Sequence, residues 1–195
     1  MVEGQEILHA LRPSSPDDMR RLFSQENLQH LANAVSPCLR PEAKTLVYVL
    51  PMPSRIGHLA LEPHALFNLF GDEYDQLVIV TWENPTFPAS KGVIELASSY
   101  LRFTNTSRPE VAEMGHHDGN VQDFGIFSFA IASPQTLLGQ FVDAMARGAR
   151  PKFFTLPDVM RDRGIPMLRR LGITESDKVV TFHARTAGTH AAVAY

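Results

Sequence analysis

The chain has 195 residues, 44% hydrophobic and 20% charged, which is enough apolar material for a sizeable buried core and too much for a disordered or fibrous protein. A net charge of -3 and a pI near 6.2, with the 18 Lys and Arg read as spread along the chain, leave no electrostatic footprint for nucleic acid. The single cysteine, Cys38, excludes an intramolecular disulfide and a thiolate metal cluster, and with no signal-like start and no apolar run of ~18 residues the chain is read as cytoplasmic, without a transmembrane segment.

Ser15-Pro16-Asp17-Asp18 combines a capping serine, a proline at the first helical position and acids in the first turn. Apolar residues then recur at three- and four-residue steps, which predicts one helix running to Val35, where Ser36-Pro37 stops it. Thr45 to Leu50, TLVYVL, is apolar without alternation, as expected for a strand buried on both faces of a parallel sheet. A helical stretch from Leu59 to Phe70 and a second such run from Leu77 to Thr81 complete a β-α-β unit.

Next come a helix near Ala89 to Ser99 and a short strand in YLRF. The polar stretch from Asn105 to Gly125, with its glycines and prolines, predicts a surface loop holding one short helical turn. Ile126 to Ala132 is again apolar, and Ser133-Pro134 opens a helix that ends at Gly148. A short helix over Pro166 to Leu171 closes at Gly172, ahead of a strand from Val179 to Phe182. The fold class is therefore α/β, a Rossmann-like open parallel sheet flanked by helices. Residues 1–40 form an N-terminal helical segment, 41–172 the Rossmann-like domain, and 173–195 the start of a second unit.

Two stretches carry candidate chemistry. Arg55, Gly57 and His58 follow the strand TLVYVL, and in open α/β sheets ligands bind beyond the carboxyl ends of strands. Gly57 permits a tight turn or a close approach of backbone to ligand, and the next helix offers free N–H groups to an anion or a sugar hydroxyl. Pro63 biases Glu62 away from helical geometry, and a kink there would turn Glu62 and His64 toward the same mouth. A single Glu before Pro otherwise reads as a solvated or capping residue. The second stretch is KVVTFHAR, Lys178 to Arg185, whose His183 and Arg185 share a face at the end of the last strand. Arginine suits a bidentate grip on phosphate. His116-His117-Asp118 reads as a solvated loop able to change charge near neutral pH rather than as a metal site, because adjacent histidines in an extended segment point to opposite sides.

Together, RIGHLALEP (Arg55 to Pro63) and VTFHAR (Val180 to Arg185), the latter preceded by LRRLGI, resemble a group of bacterial glycosyltransferases with an IGHLALEP-like segment and an LHVRE-like strand. The Gly57-to-Pro63 spacing is also similar to the G-D-x-x-x-x-P turn of heptosyltransferases, although His58 stands where that motif has aspartate. The H-A-R element looks like the H-x-R motif of fucosyltransferases. The resemblance implies a GT-B architecture, two Rossmann-like domains across a cleft, working without a metal and with a nucleotide sugar as co-substrate rather than a bound cofactor. It further implies Arg185 on the diphosphate, His183 orienting or protonating it, and Arg55, Gly57 and His58 on the cleft floor facing a carbohydrate or glycoconjugate acceptor. A complete donor domain would need ~150 further residues. Ten follow Arg185. The expectation is a truncated form, partial or inactive. The alternative is a non-catalytic α/β interaction domain that pairs, as a homo-oligomer or with a partner chain, through an exposed strand edge.

Overall fold

The structure, a computed structural model, describes residues 15–83, 88–174 and 177. Its amino-terminal part holds two helices rather than one, α1 (Pro16–Leu22) and α2 (Gln25–Val35). Ser15 caps the first by accepting from the Asp18 amide at 3.1 Å. The break comes from Ser24, which caps α2 by accepting from the Asn27 amide at 3.4 Å. The Asn27 side-chain amide then donates to the Arg21 and Leu22 carbonyls at 3.2 and 3.1 Å, satisfying acceptors that α1 leaves open at its end. The apolar spacing of Leu22, Leu31 and Val35, all fully buried, runs through the break, so it could not reveal it.

After a 3₁₀ turn (Ser36–Cys38) come β1 (Thr45–Leu50), α3 (Ile56–Phe70), β2 (Gln76–Trp82), α4 (Lys91–Ala97), β3 (Arg102–Thr106), α5 (Pro109–Met114), β4 (Val121–Asp123), β5 (Ser128–Ala130), α6 (Pro134–Ala146) and α7 (Asp158–Arg170). The strands form one sheet in the order β3-β2-β1-β5-β4, parallel except for β4, which pairs antiparallel with β5. The fold is α/β, a Rossmann-like open sheet flanked by helices. Among the described residues no helix is long and apolar enough to cross a membrane.

Every residue of β1 is buried, because it lies between β2 and β5 and is covered on both faces. Leu46, Tyr48 and Leu50 face the layer that contains α3, α4 and α6, while Val47 and Val49 face α2 and α5. Period-two alternation thus assigns the tyrosine in this apolar strand to the α3 side.

The stretch read as a polar surface loop contains α5 and β4. In α5, Val111, Ala112 and Met114 are buried, Val111 and Met114 against the α2 side of the sheet, an apolar set too short to register as a period. All three residues of β4 are exposed, and backbone pairing with β5 holds the strand in place, so no alternation marks it. β3 starts two residues later than YLRF and runs into the polar residues Thr104 to Thr106, with Thr104 Oγ1 donating to the Ala34 carbonyl at 2.8 Å. The helix expected over Pro166 to Leu171 is the end of the longer α7, closed at Gly172 with φ +76°. The strand expected over Val179 to Phe182 lies outside the described residues.

Candidate active site

The chain steps outward from β1 to β2 and β3, then returns to place β5 on the other side of β1. The order therefore reverses between β1 and β5, and the crevice beyond their carboxyl ends is the switch point at which open α/β sheets bind ligands. Arg55 is the cap residue of α3, and Gly57 and His58 lie in its first turn, so the fold brings all three to that crevice. Arg55, Ile56 and Gly57 are exposed, and no side chain caps the helix start. Gly57 is helical rather than part of a tight turn, and among the described residues no side chain caps the first-turn amides.

The group that organises this end of the sheet is Glu62. His58 and Glu62 are one helical turn apart, at i and i+4, and share a face of α3. Glu62 is fully buried, contrary to the solvated or capping role read from the sequence. One carboxyl oxygen, Oε2, accepts from the Tyr48 hydroxyl at 2.5 Å, and the other, Oε1, lies 2.5 Å from His58 Nδ1. Both carboxyl oxygens are thus engaged, as a buried acid requires. Burial first, then the charge of Glu62, pushes the Tyr48 phenol well above its usual range, so Tyr48 acts here only as a donor. With Nδ1 donating to Glu62, a His58 ring that carries one proton presents Nε2 as a lone-pair acceptor, on a side chain that keeps 27% of its surface exposed.

Pro63 does not break α3, which runs unbroken from Ile56 to Phe70. It removes only the amide that would bond the Leu59 carbonyl. Glu62 and His64 consequently point apart rather than to one mouth. His64 Nε2 lies 3.0 Å from the Lys152 carbonyl, and its ring stacks on Phe153 and meets Phe141 and Phe154 edge-on. It anchors the segment after α6 and takes no part in the site.

The loop after α5 forms a second wall. Gly115 lies so close to the end of β1 that a Cβ would stand 2.4 Å from the Val49 carbonyl oxygen and 3.0 Å from Pro51 Cδ. Further on, Gly119 N–H donates to the Ile131 carbonyl at 2.9 Å and Asp118 Oδ1 accepts from the Ser133 amide at 2.8 Å, tying the loop to the exit of β5. His116 is half-buried rather than solvated, and it lies close enough to His58 for their charges to repel. Desolvation, with smaller contributions from His117 and His58, lowers its pKa to about 4, so it is neutral near pH 7 and does not change charge there as the sequence suggests. Gly115→Ala is expected to destabilise the chain by about 1–3 kcal/mol, because the obstructing atom is backbone and cannot rotate away. Urea unfolding of the variant checks this, and a midpoint equal to that of the parent contradicts the close approach.

His183 and Arg185 lie outside the described residues. Tyr48 is absent from the sequence-derived site, and its signal is the phenol hydroxyl in the middle of the apolar run Leu46 to Leu50. Among the described residues no three His, Cys, Asp or Glu side chains converge in a way that would hold a metal ion. A cavity of about 380 Å³ lined by Arg40, Asp75, Gln76, Ser98, Tyr100 and Arg102 opens at the amino ends of β2 and β3, the opposite end of the sheet from His58. Its position, away from the carboxyl ends of the strands, makes the His58 crevice the better candidate. No family model, characterised protein or solved structure matches this chain.

Proposed function

We propose that this chain is the acceptor-side domain of a GT-B-like, metal-independent glycosyltransferase in which His58 deprotonates the acceptor hydroxyl. The observation that carries the reading is the Tyr48–Glu62–His58 chain, an imidazole held by a buried carboxyl group at the switch-point crevice. In the reaction, the acceptor O–H gives its proton to His58 Nε2 as its oxygen bonds to the anomeric carbon of the nucleotide sugar. The bond from that carbon to the diphosphate breaks, and the diphosphate leaves with the electron pair. The imidazolium that forms keeps its Nδ1–H on Glu62, which stabilises the new charge. The resemblance adds Arg185 and His183 on the diphosphate, with Arg55 and the uncapped amides beside Gly57 available to the substrate's polar groups.

The test incubates the chain, completed by a donor domain, with nucleotide sugars and carbohydrate acceptors, and titrates the purified chain alone with nucleoside diphosphates. Transfer is expected to fall on the order of 10²–10⁴-fold in His58→Asn, the usual worth of a positioned base. Diphosphate binding is expected to be lost in Arg185→Ala. Transfer unchanged in His58→Asn, or binding unchanged in Arg185→Ala, sinks the corresponding role.

A further inference from the structure

The basic residues are not spread evenly. Residues 147–171 hold seven of the 18 Lys and Arg and two of the 21 Asp and Glu, so this stretch is +5 in a chain of net charge -3. Three of the seven are neutralised, Lys152 by Asp72, Arg161 by Asp158 and Arg163 by Glu95. Arg147, Arg150, Arg169 and Arg170 pair with no acid among the described residues.

The same stretch carries the largest group of exposed apolar side chains. α7 buries none of its 13 residues. Met160, Gly164, Met167, Leu168 and Leu171 fall at i, i+4, i+7, i+8 and i+11, one face of the helix. Met167 is 65% exposed, Leu168 46% and Leu171 75%, and Phe153, in the segment leading to the helix, is 72% exposed. An amphipathic helix owes most of its stability to a partner for its apolar face, and among the described residues none covers the face of α7.

We propose that α7 and the segment before it dock on an anionic lipid bilayer. Charge complementarity selects the partner: Arg170 flanks the apolar face and Arg169 lies across the helix from it, so α7 sets guanidinium groups that pair with no acid among the described residues around a Leu and Met face, and their long side chains can reach past the helix to headgroups. A membrane interface rewards both, seating the apolar face at the acyl boundary while the arginines meet anionic headgroups. A nucleic acid would reward only the charges. The inference stands on α7 and not on glycosyl transfer, so it survives if the His58 reading fails.

The test sediments the full chain with vesicles of phosphatidylcholine alone or of phosphatidylcholine with phosphatidylglycerol. The chain is expected to pellet with the anionic vesicles, to stay in solution with the neutral ones, and to be released by salt. The Arg169→Glu/Arg170→Glu pair is expected to weaken binding tenfold or more, in line with about 1 kcal/mol per basic residue at such a surface. Met167→Asp/Leu171→Asp is expected to abolish it. Because all four side chains are exposed, both variants keep the parent's circular dichroism and melting temperature. No sedimentation with anionic vesicles, or equal sedimentation of the arginine variant, overturns the proposal. So does a solution mass showing a dimer that Met167→Asp/Leu171→Asp converts to monomer, since that assigns the face to a second copy.

Discussion

Glu62→Ala is expected to lower folding stability by about 3–5 kcal/mol, the range for removing one partner from a buried charged network. The substitution leaves the Tyr48 hydroxyl buried without an acceptor, because Oε2 of Glu62 is its partner and the surrounding side chains, Leu46, Leu50, Leu59 and Leu66, are aliphatic and fully buried. It also opens a cavity under α3. Tyr48→Phe, by contrast, removes one donor and leaves His58 on the other carboxyl oxygen, so a loss nearer 1–3 kcal/mol is expected. Combining Tyr48→Phe with Glu62→Ala is expected to cost less than the sum of the single changes, since no phenol hydroxyl is then stranded by the loss of the carboxylate. Thermal melts of the four proteins check this, with roughly 2–4 °C per kcal/mol for a chain of this size. An additive cycle contradicts the bonded pair.

The pattern of what the sequence disclosed follows from how local each signal is. TLVYVL and the run from Leu77 to Thr81 are strands whose continuous apolarity declares burial on both faces, and the helical stretch between them is amphipathic, so the β-α-β unit and its mouth at Arg55 to His58 were readable directly. The role of Glu62 was not, because it depends on Tyr48, 14 residues earlier on a strand, meeting α3 across the sheet face. The spacing of His58 and Glu62 was visible as an i, i+4 pair, but the proline after Glu62 drew attention to helix breaking, and α3 absorbs that proline without ending. The loop at His116 misled for the same reason. Its residues look polar and solvated until Gly115 brings the backbone against the end of β1, a contact 66 positions distant along the chain.

That loop carries the second large expected effect. Stability should rise with pH between about 4 and 6.5, and His116→Gln should flatten much of the rise. The sign follows from linkage. The folded pKa of His116 is about 4 because burial penalises its charged form, while the unfolded residue titrates near its ordinary 6.5. Between those values the unfolded chain binds the extra proton, so the folded state loses stability as pH falls through 6.5 and stops losing it below about 4. With discount for the half-buried ring, the contribution is on the order of 2 kcal/mol. His117, also desolvated, acts in the same direction, whereas at Asp118 burial raises the carboxyl but its bonds to Ser133 and Thr136 together outweigh that and hold it below the ordinary value, so its own loss of stability comes at lower pH. Urea unfolding at pH 4.5 and pH 7 for parent and His116→Gln separates these contributions. If the variant shows the parent's full pH dependence, the destabilisation resides in other groups and His116 is not held neutral against the end of β1.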